Sequence, residues 1–300
     1  MVSPRGRVLI GARELMQSMQ SGERPALLDV RWRLDQPDGR QRYQDGHLPG
    51  AVYVSLEDEL SDHTRAGRGR HPLPSGAHLQ AAARRWGLRA GRPVVAYDDW
   101  NRAGSARAWW VLTAAGLTDV RILDGGLAAW VRAGGQLESG PQTDHPPGDV
   151  TIPHPDLYHG ALPTLTAEQV AGGAAETLLD ARAPERFRGD AEPVDAAAGH
   201  IPGARNRPST SLLNADGMFR TDLDPVLAED GVLATATTGV YCGSGITASV
   251  VVAALANVGV EAALFPGSWS QWSSDPTRPI ARGAEAGPPV GRSGSPRGRP

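Results

Sequence analysis

Cys242 is the only cysteine among the 300 residues, and it lies in Gly239-Val240-Tyr241-Cys242-Gly243-Ser244-Gly245-Ile246-Thr247-Ala248. A short apolar run enters this segment and a helix-forming run, Ala248 to Leu255, leaves it. The pattern predicts a thiol in a tight loop at a strand end, over the N-terminus of a helix. Backbone N–H groups converge at such a point and the helix dipole favours an anion. A cysteine there ionises more readily than a free thiol, and the thiolate is the nucleophile. The alternative is a lone buried cysteine acting as a small hydrophobe. Two glycines and a serine within three residues argue against it, because they bare backbone rather than fill a core. The spacing therefore points to nucleophilic catalysis.

Composition narrows the chemistry. One cysteine excludes an internal disulfide framework and a cysteine-cluster metal site, and it suits a reducing compartment. All thirty basic residues are arginine. Without lysine there is no Schiff-base chemistry and no lysine-bearing phosphate loop. The formal net charge of -3 gives no basic field, so neither nucleic acid nor membrane is an expected partner. No apolar stretch reaches membrane-spanning length and the first residues lack a signal-peptide core; the expected location is cytoplasmic. His145, His154 and His159 have no fixed ligand spacing and read as loop histidines. Neither a metal nor a cofactor is expected.

The elements that must position Cys242 occur in two copies. Ala26-Leu27-Leu28-Asp29-Val30-Arg31 returns as Thr177-Leu178-Leu179-Asp180-Ala181-Arg182, and Gly46-His47-Leu48-Pro49-Gly50-Ala51 as Gly199-His200-Ile201-Pro202-Gly203-Ala204. Val94 to Tyr97 returns as Val240-Tyr241, and Asp124 to Trp130 as Pro266 to Trp272, in the same order. In the second copy the patterns predict helices at Thr166 to Gly172, from Leu223 to Leu227 and at Thr247 to Asn257. They predict strands at Thr177 to Asp180, Val240-Tyr241 and Ala262 to Phe265. Strand–helix alternation with short apolar strands implies an α/β fold, a parallel sheet covered on both faces. Ligands then bind beyond the carboxyl ends of the strands, where Cys242 falls. The stretch from Leu137 to Pro163, rich in proline, glycine and histidine, reads as a linker, and Arg282 to Pro300 as a disordered tail.

These motifs, from about Leu27 to Trp272, resemble the two-domain rhodanese family of sulfurtransferases. The resemblance implies two tandem rhodanese-like domains, each a central parallel sheet with helices on both faces. Residues 1–138 form the first and 139–163 the linker; 164–281 form the catalytic domain and 282–300 the tail. The first copy has Asp98-Asp99-Trp100 at the matching strand end, so it lacks a nucleophile and is expected to close the pocket.

The family reaction implies that the Cys242 thiolate takes a sulfane sulfur from a small donor. A thiol acceptor, such as a thioredoxin-like protein, or cyanide then removes it. Gly243, Gly245, Ile246 and Thr247 would line the site and offer amides to the anion. The Cys-Gly-Ser-Gly-hydrophobic-Thr pattern is similar to the branch using 3-mercaptopyruvate. That similarity implies a relay of Ser244 with His71 and Glu57, with Asp58 the neighbouring choice. Arg186 matches the position that binds the donor carboxylate, where a planar fork suits two parallel bonds. Val194 stands where that branch carries a second arginine, with Arg188 the available substitute. Trp32 and Trp269 are expected at the pocket wall, Trp130 and Trp272 in cores, and Asp180 with Arg182 as a structural ion pair.

Three other functions are open to such a chain. Thiosulfate could be the donor, although Gly243 and Ser244 supply no cation to meet a dianion. A non-turnover sulfur carrier or binding module would use the same loop. A cysteine phosphatase would need an arginine six residues after Cys242, where Ala248 stands.

Overall fold

The computed structural model describes residues 3–22, 24–142 and 146–286. His145 and the tail beyond residue 286 lie outside the described residues. The first half contains strands β1 (Leu9–Ile10), β2 (Ala26–Asp29), β3 (Val52–Tyr53), β4 (Val94–Tyr97) and β5 (Val120–Leu123). They form one parallel sheet in the order β1-β5-β4-β2-β3. The second half contains β6 (Thr177–Asp180), β7 (Arg205–Asn206), β8 (Thr238–Tyr241) and β9 (Ala263–Leu264), parallel in the order β7-β6-β8-β9. The repeat seen in the sequence is thus a repeat of topology: β2, β4 and β5 answer to β6, β8 and β9.

Alternation along the central strands covers both faces of each sheet. Val94 and Ala96 of β4 enter one apolar core, and Val95 and Tyr97 enter another on the opposite face. In the second sheet Leu179 and Val240 join the first of these cores, whereas Leu178 and Tyr241 pack with Phe265, Trp269 and Trp272 in a third. One core therefore runs through both halves. Side chains of period two buried on both faces explain why the middle positions of these strands are apolar on both sides.

The helices of the first half are α1 (Pro4–Val8), α2 (Ala12–Ser21), α3 (Arg40–Asp45), α4 (Leu56–Glu59), α5 (Gly76–Arg85), α6 (Ala103–Ala114) and α7 (Gly126–Arg132). Those of the second are α8 (Ala167–Ala171), α9 (Pro184–Arg188), α10 (Leu223–Ala228), α11 (Ala248–Asn257) and α12 (Ser268–Trp272). Helices α6 and α11 follow β4 and β8 and pack on each other. All of α6 is buried except Thr113, and all of α11 except Ala256. A helix apolar all round belongs inside, and this pair joins the lobes. The two strand ends are thereby brought to one crevice. Arg5 of α1 adds a clamp, donating to Asp124 at 2.7 Å and to the carbonyls of Phe219 and Arg220.

The segment joining the halves is laid along the first one. Gly148 N–H donates to Arg84 O, and Asp156 pairs with Ser75 before one 3-10 turn, Leu157–His159, buries Leu157. Residues 282–286, assigned above to the tail, remain attached. Gly283 N–H donates to Arg188 O at 2.9 Å and Arg282 to Ala198 O at 3.3 Å. These bonds to backbone carbonyls give residues that carry no apolar signal a fixed course.

Candidate active site

Strand β8 delivers Cys242, and the turn before α12 holds it. Cys242 N–H donates to Ser268 Oγ at 3.1 Å, and Ser268 Oγ donates to Phe265 O at 2.9 Å. Trp269 N–H returns to Cys242 O and Ser270 N–H to Gly243 O, both at 2.9 Å. Ser268 adopts φ 53, a left-handed conformation costly for a residue with a Cβ. At the matching place the first half has Gly126, with φ 54. Gly245 is needed for two reasons. Its φ is 80, and a Cβ there would stand 2.6 Å from Pro266 O. Its amide donates to Cys242 Sγ at 3.1 Å, the one hydrogen bond to that sulfur among the described residues.

Cys242 is only 2% exposed, yet it lines a cleft of about 230 Å³ between the lobes. Gly243, Ser244, Ile246 and Thr247 line the cleft from the second half. Trp32, Leu34, Arg70, Trp100 and Asn101 close it from the first. The expectation that the first half closes the pocket is matched by this lining.

A hydrogen-bonded chain beside the cleft passes from one lobe to the other. Ser244 Oγ lies 2.7 Å from His71 Nδ1, and His71 Nε2 lies 3.1 Å from Glu57 Oε1. Trp32 Nε1 donates to the same Glu57 oxygen at 2.6 Å, and His63 Nε2 lies 3.0 Å from Oε2. Burial acts to raise the Glu57 carboxyl, but the bonds from His71 and Trp32 and nearby histidine charge outweigh it, bringing it down to about 2. Glu57 is thus ionised and accepts from His71 Nε2–H, which leaves Nδ1 as the acceptor for the Ser244 hydroxyl. Burial holds His71 below its ordinary value, and Glu57 offsets only part of that; Arg107 and Arg70 push the same way as burial. Asp58 is not part of the chain, because its carboxylate accepts from Ser55 Oγ at 2.7 Å at the start of α4.

Beneath the chain lies Arg107 of α6, fully buried; its bonds among the described residues go to carbonyls, Leu60 O and His71 O at 3.1 Å and Gly245 O at 3.3 Å. Burial lowers its guanidinium to about 10. It ties the backbone of His71 to the cysteine loop of the other lobe. Nothing in the spacing of the α6 sequence sets this arginine apart from a surface one, apart from the apolar residues on every side.

Arg186 lines the cleft, with Arg70 beside it. Arg186 pairs with Glu192 at 2.6 Å and Asp195 at 3.1 Å, not with Glu185 or Asp190. Arg188 is half-buried and pairs with Asp190 at 2.7 Å, outside the cleft; Arg70, next to His71 in the sequence, and the paired Arg182 are the other arginines of its lining. Val194 is on the surface, 39% exposed. Trp32 is in the cleft wall, but Trp269 is a correction: it is fully buried, with Arg182 over its ring at 4.6 Å and Nε1 bonded to Ala197 O. Trp130 and Trp272 lie in cores. Asp180 and Arg182 form a buried pair at 2.6 Å, matched in the first half by Asp29 and Arg31 at 2.9 Å.

Asp98 occupies the Cys242 position of the first half. Its carboxylate accepts from the amides of Trp100 (3.1 Å), Arg102 (3.3 Å) and Ser105 (3.0 Å), and pairs with the Arg102 guanidinium at 2.8 Å. The cradle of that strand-end loop is filled by its own anion. Among the described residues, no group of three His, Cys, Asp or Glu side chains could hold a metal ion, and no helix is long and apolar enough to cross a membrane.

Two like parallel-sheet lobes with one cysteine loop, completed by side chains from both, define a tandem α/β protein with a single shared thiol site. The rhodanese-like domain model matches residues 12–133 and again 163–275. The chain belongs to the rhodanese family. SseB of Mycobacterium tuberculosis, whose name carries thiosulfate sulfurtransferase as an unproven assignment, is 65% identical over 281 residues, 93% of this chain and 98% of that protein. The 3-mercaptopyruvate sulfurtransferase of Escherichia coli is 36% identical over 245 residues, 80% of this chain and 85% of that one. The crystal structure of SseA from Escherichia coli, described as a 3-mercaptopyruvate sulfotransferase, superposes with a TM-score of 0.75 at 32% identity, covering 87% of this chain and 98% of that one.

Proposed function

We propose that this sulfurtransferase takes a sulfane sulfur from 3-mercaptopyruvate and passes it, through a persulfide on Cys242, to a thiol or to cyanide. The observation that carries the reading is the chain Ser244–His71–Glu57, in which His71 of the first lobe meets Ser244 of the Cys242 loop at 2.7 Å and Glu57 at 3.1 Å. In the first step neutral His71, acting through Ser244, removes the donor thiol proton. The Cys242 thiolate attacks the donor sulfur, and the electron pair of the breaking carbon–sulfur bond passes to the carbon next to the carbonyl. That carbon takes the proton, so pyruvate leaves and the persulfide anion remains. The sulfur is oxidised from thiol to sulfane level as the carbon is reduced, and no outside oxidant is needed. In the second step a thiolate or cyanide attacks the outer sulfur and Cys242 leaves as thiolate.

The Gly245 amide, already directed at the sulfur, serves the anion in both steps. Arg70 and Arg186 beside Gly243 are the groups that would orient the donor's carboxylate. Thiosulfate is the second donor, favoured by the name of the mycobacterial relative. A single thiol kept reduced fits a cytoplasmic setting and a thioredoxin-like acceptor. Thiocyanate formation from cyanide, measured with each donor separately, tests the reading. Product from 3-mercaptopyruvate at the higher kcat/KM is expected; no product from either donor with folded protein would leave only a binding module.

A further inference from the structure

We propose that Asp195 is a built-in carboxylate that sets donor selectivity by occupying the fork of Arg70 and Arg186 beside Cys242. The inference rests on the sulfurtransferase reading of that cleft and names the charge its donor must bring. Asp195 Oδ1 lies 2.7 Å from Arg70 Nη1, and Oδ2 lies 3.1 Å from Arg186 Nη2. One arginine comes from each lobe, and each takes one oxygen, as two arginines hold a small bound anion. The Asp195 side chain is 5% exposed, against 27% and 17% for its partners. The fork opens next to the nucleophile. A Cβ placed on Gly243 would stand 3.4 Å from Arg70 Nη2 and 3.5 Å from Arg186 Nη1.

The other carboxylates near the fork have fixed structural places. Glu192 accepts from Nε of Arg186, shares its Nη2 with Asp195, and is itself held by the amides of Val194 and Asp195. Asp180 belongs to the buried pair with Arg182, which also reaches Glu192 at 3.3 Å. Three guanidinium groups thus face three carboxylates, and the cluster is neutral while Asp195 stays in place. Asp195 alone among the three spans both lobes, and it sits on the irregular segment between α9 and β7. A donor's anionic group would meet the same two arginines through the nitrogens beside Gly243, with their charge already countered by Asp195. The Coulomb gain that a positive fork would offer doubles from a monoanion to a dianion, so a neutral fork forfeits more with thiosulfate. The site selects a donor of low negative charge, the monoanion 3-mercaptopyruvate over the dianion thiosulfate.

The test is Asp195→Asn, nearly the same shape without the charge, in the full chain with both donors. KM for thiosulfate is expected to fall about tenfold, KM for 3-mercaptopyruvate by less, and kcat to change little. Arg70→Gln has the opposite sign, because it leaves Asp195 in excess over its partners, and raises KM for both. An unchanged or raised KM in folded Asp195→Asn would make Asp195 a structural strut and overturn the proposal. Protection of Cys242 from alkylation by inorganic sulfate reads the fork without turnover. If neither donor is used, the sulfurtransferase reading fails, and tighter sulfate protection in Asp195→Asn still supports the fork while equal or weaker protection overturns it.

Discussion

Replacement of Glu57 by glutamine tests the relay through its weakest-looking member, a carboxylate separated from His71 by fourteen positions in the chain. Glu57 Oε1 accepts from His71 Nε2 at 3.1 Å and from Trp32 Nε1 at 2.6 Å. When His71 takes a proton through Ser244, an imidazolium comes to face this carboxylate. Two opposite charges about 4 Å apart attract by about 4 kcal/mol at an effective dielectric of about 20. The Glu57 side chain is 27% exposed, and solvent screening takes away roughly half, leaving about 2 kcal/mol. That corresponds to a loss of about thirtyfold in kcat. Glutamine keeps a carbonyl oxygen for Trp32 and His71, so KM and the thermal midpoint are expected to hold. Steady-state kinetics with 3-mercaptopyruvate and a thiol acceptor supply the readout, with Asp58→Asn as the matched neighbour expected to behave as wild type. A folded Glu57→Gln enzyme within about threefold of wild-type kcat would refute the relay.

Activity is expected to fall on acidification through a value below the ordinary 6.5 of imidazole, because burial holds His71 down and only its neutral form accepts the Ser244 proton; a pH–kcat profile with its acid limb above that value contradicts this. The limb is expected to move lower still in Glu57→Gln, which removes the charge that favours the imidazolium, and higher in Arg107→Met, which removes a cation opposing it. The same Arg107→Met change deprives the carbonyls of Leu60 and His71 of this donor and leaves Gly245 O to Ser249 Oγ, so thermal unfolding should show a loss of roughly 2 kcal/mol or more; an unchanged midpoint would mean that water replaces the guanidinium. Ser268→Ala strips the Cys242 amide of its acceptor and keeps the left-handed strain, whereas Ser268→Gly relieves about 1 kcal/mol of it. Denaturant titration should therefore rank wild type above glycine and glycine above alanine, and the reverse order of the two variants would show that strain is not the deciding effect.

Much of the fold is legible because the central strands are local apolar signals repeated in order. Thr177 to Asp180 is a strand over the residues the sequence indicates, and the helix read at Thr166 to Gly172 runs from its Thr166 cap to its Gly172 cap. The two-residue strands β1 and β7 are not legible, since Leu9–Ile10 and Arg205–Asn206 are too short to carry a period and exist by pairing with β5 and β6. At the site, Cys242, Ser244, His71, Glu57 and Trp32 do meet, although their separations in sequence give no distance. Trp269, expected at the pocket wall, instead turns its indole inward under Arg182. Arg70, Asp195 and Arg107 escape a sequence reading for one reason: each acts across the lobe boundary, and local spacing says nothing about partners 125 or 138 positions away.

Intact-mass measurement of the protein after brief treatment with 3-mercaptopyruvate, followed by peptide mapping, bears most directly on the central claim. The account predicts one added sulfur, located on the peptide carrying Cys242, and its removal by cyanide with release of thiocyanate. A native protein that turns over the donor without ever carrying that sulfur, or carries it elsewhere, would contradict it.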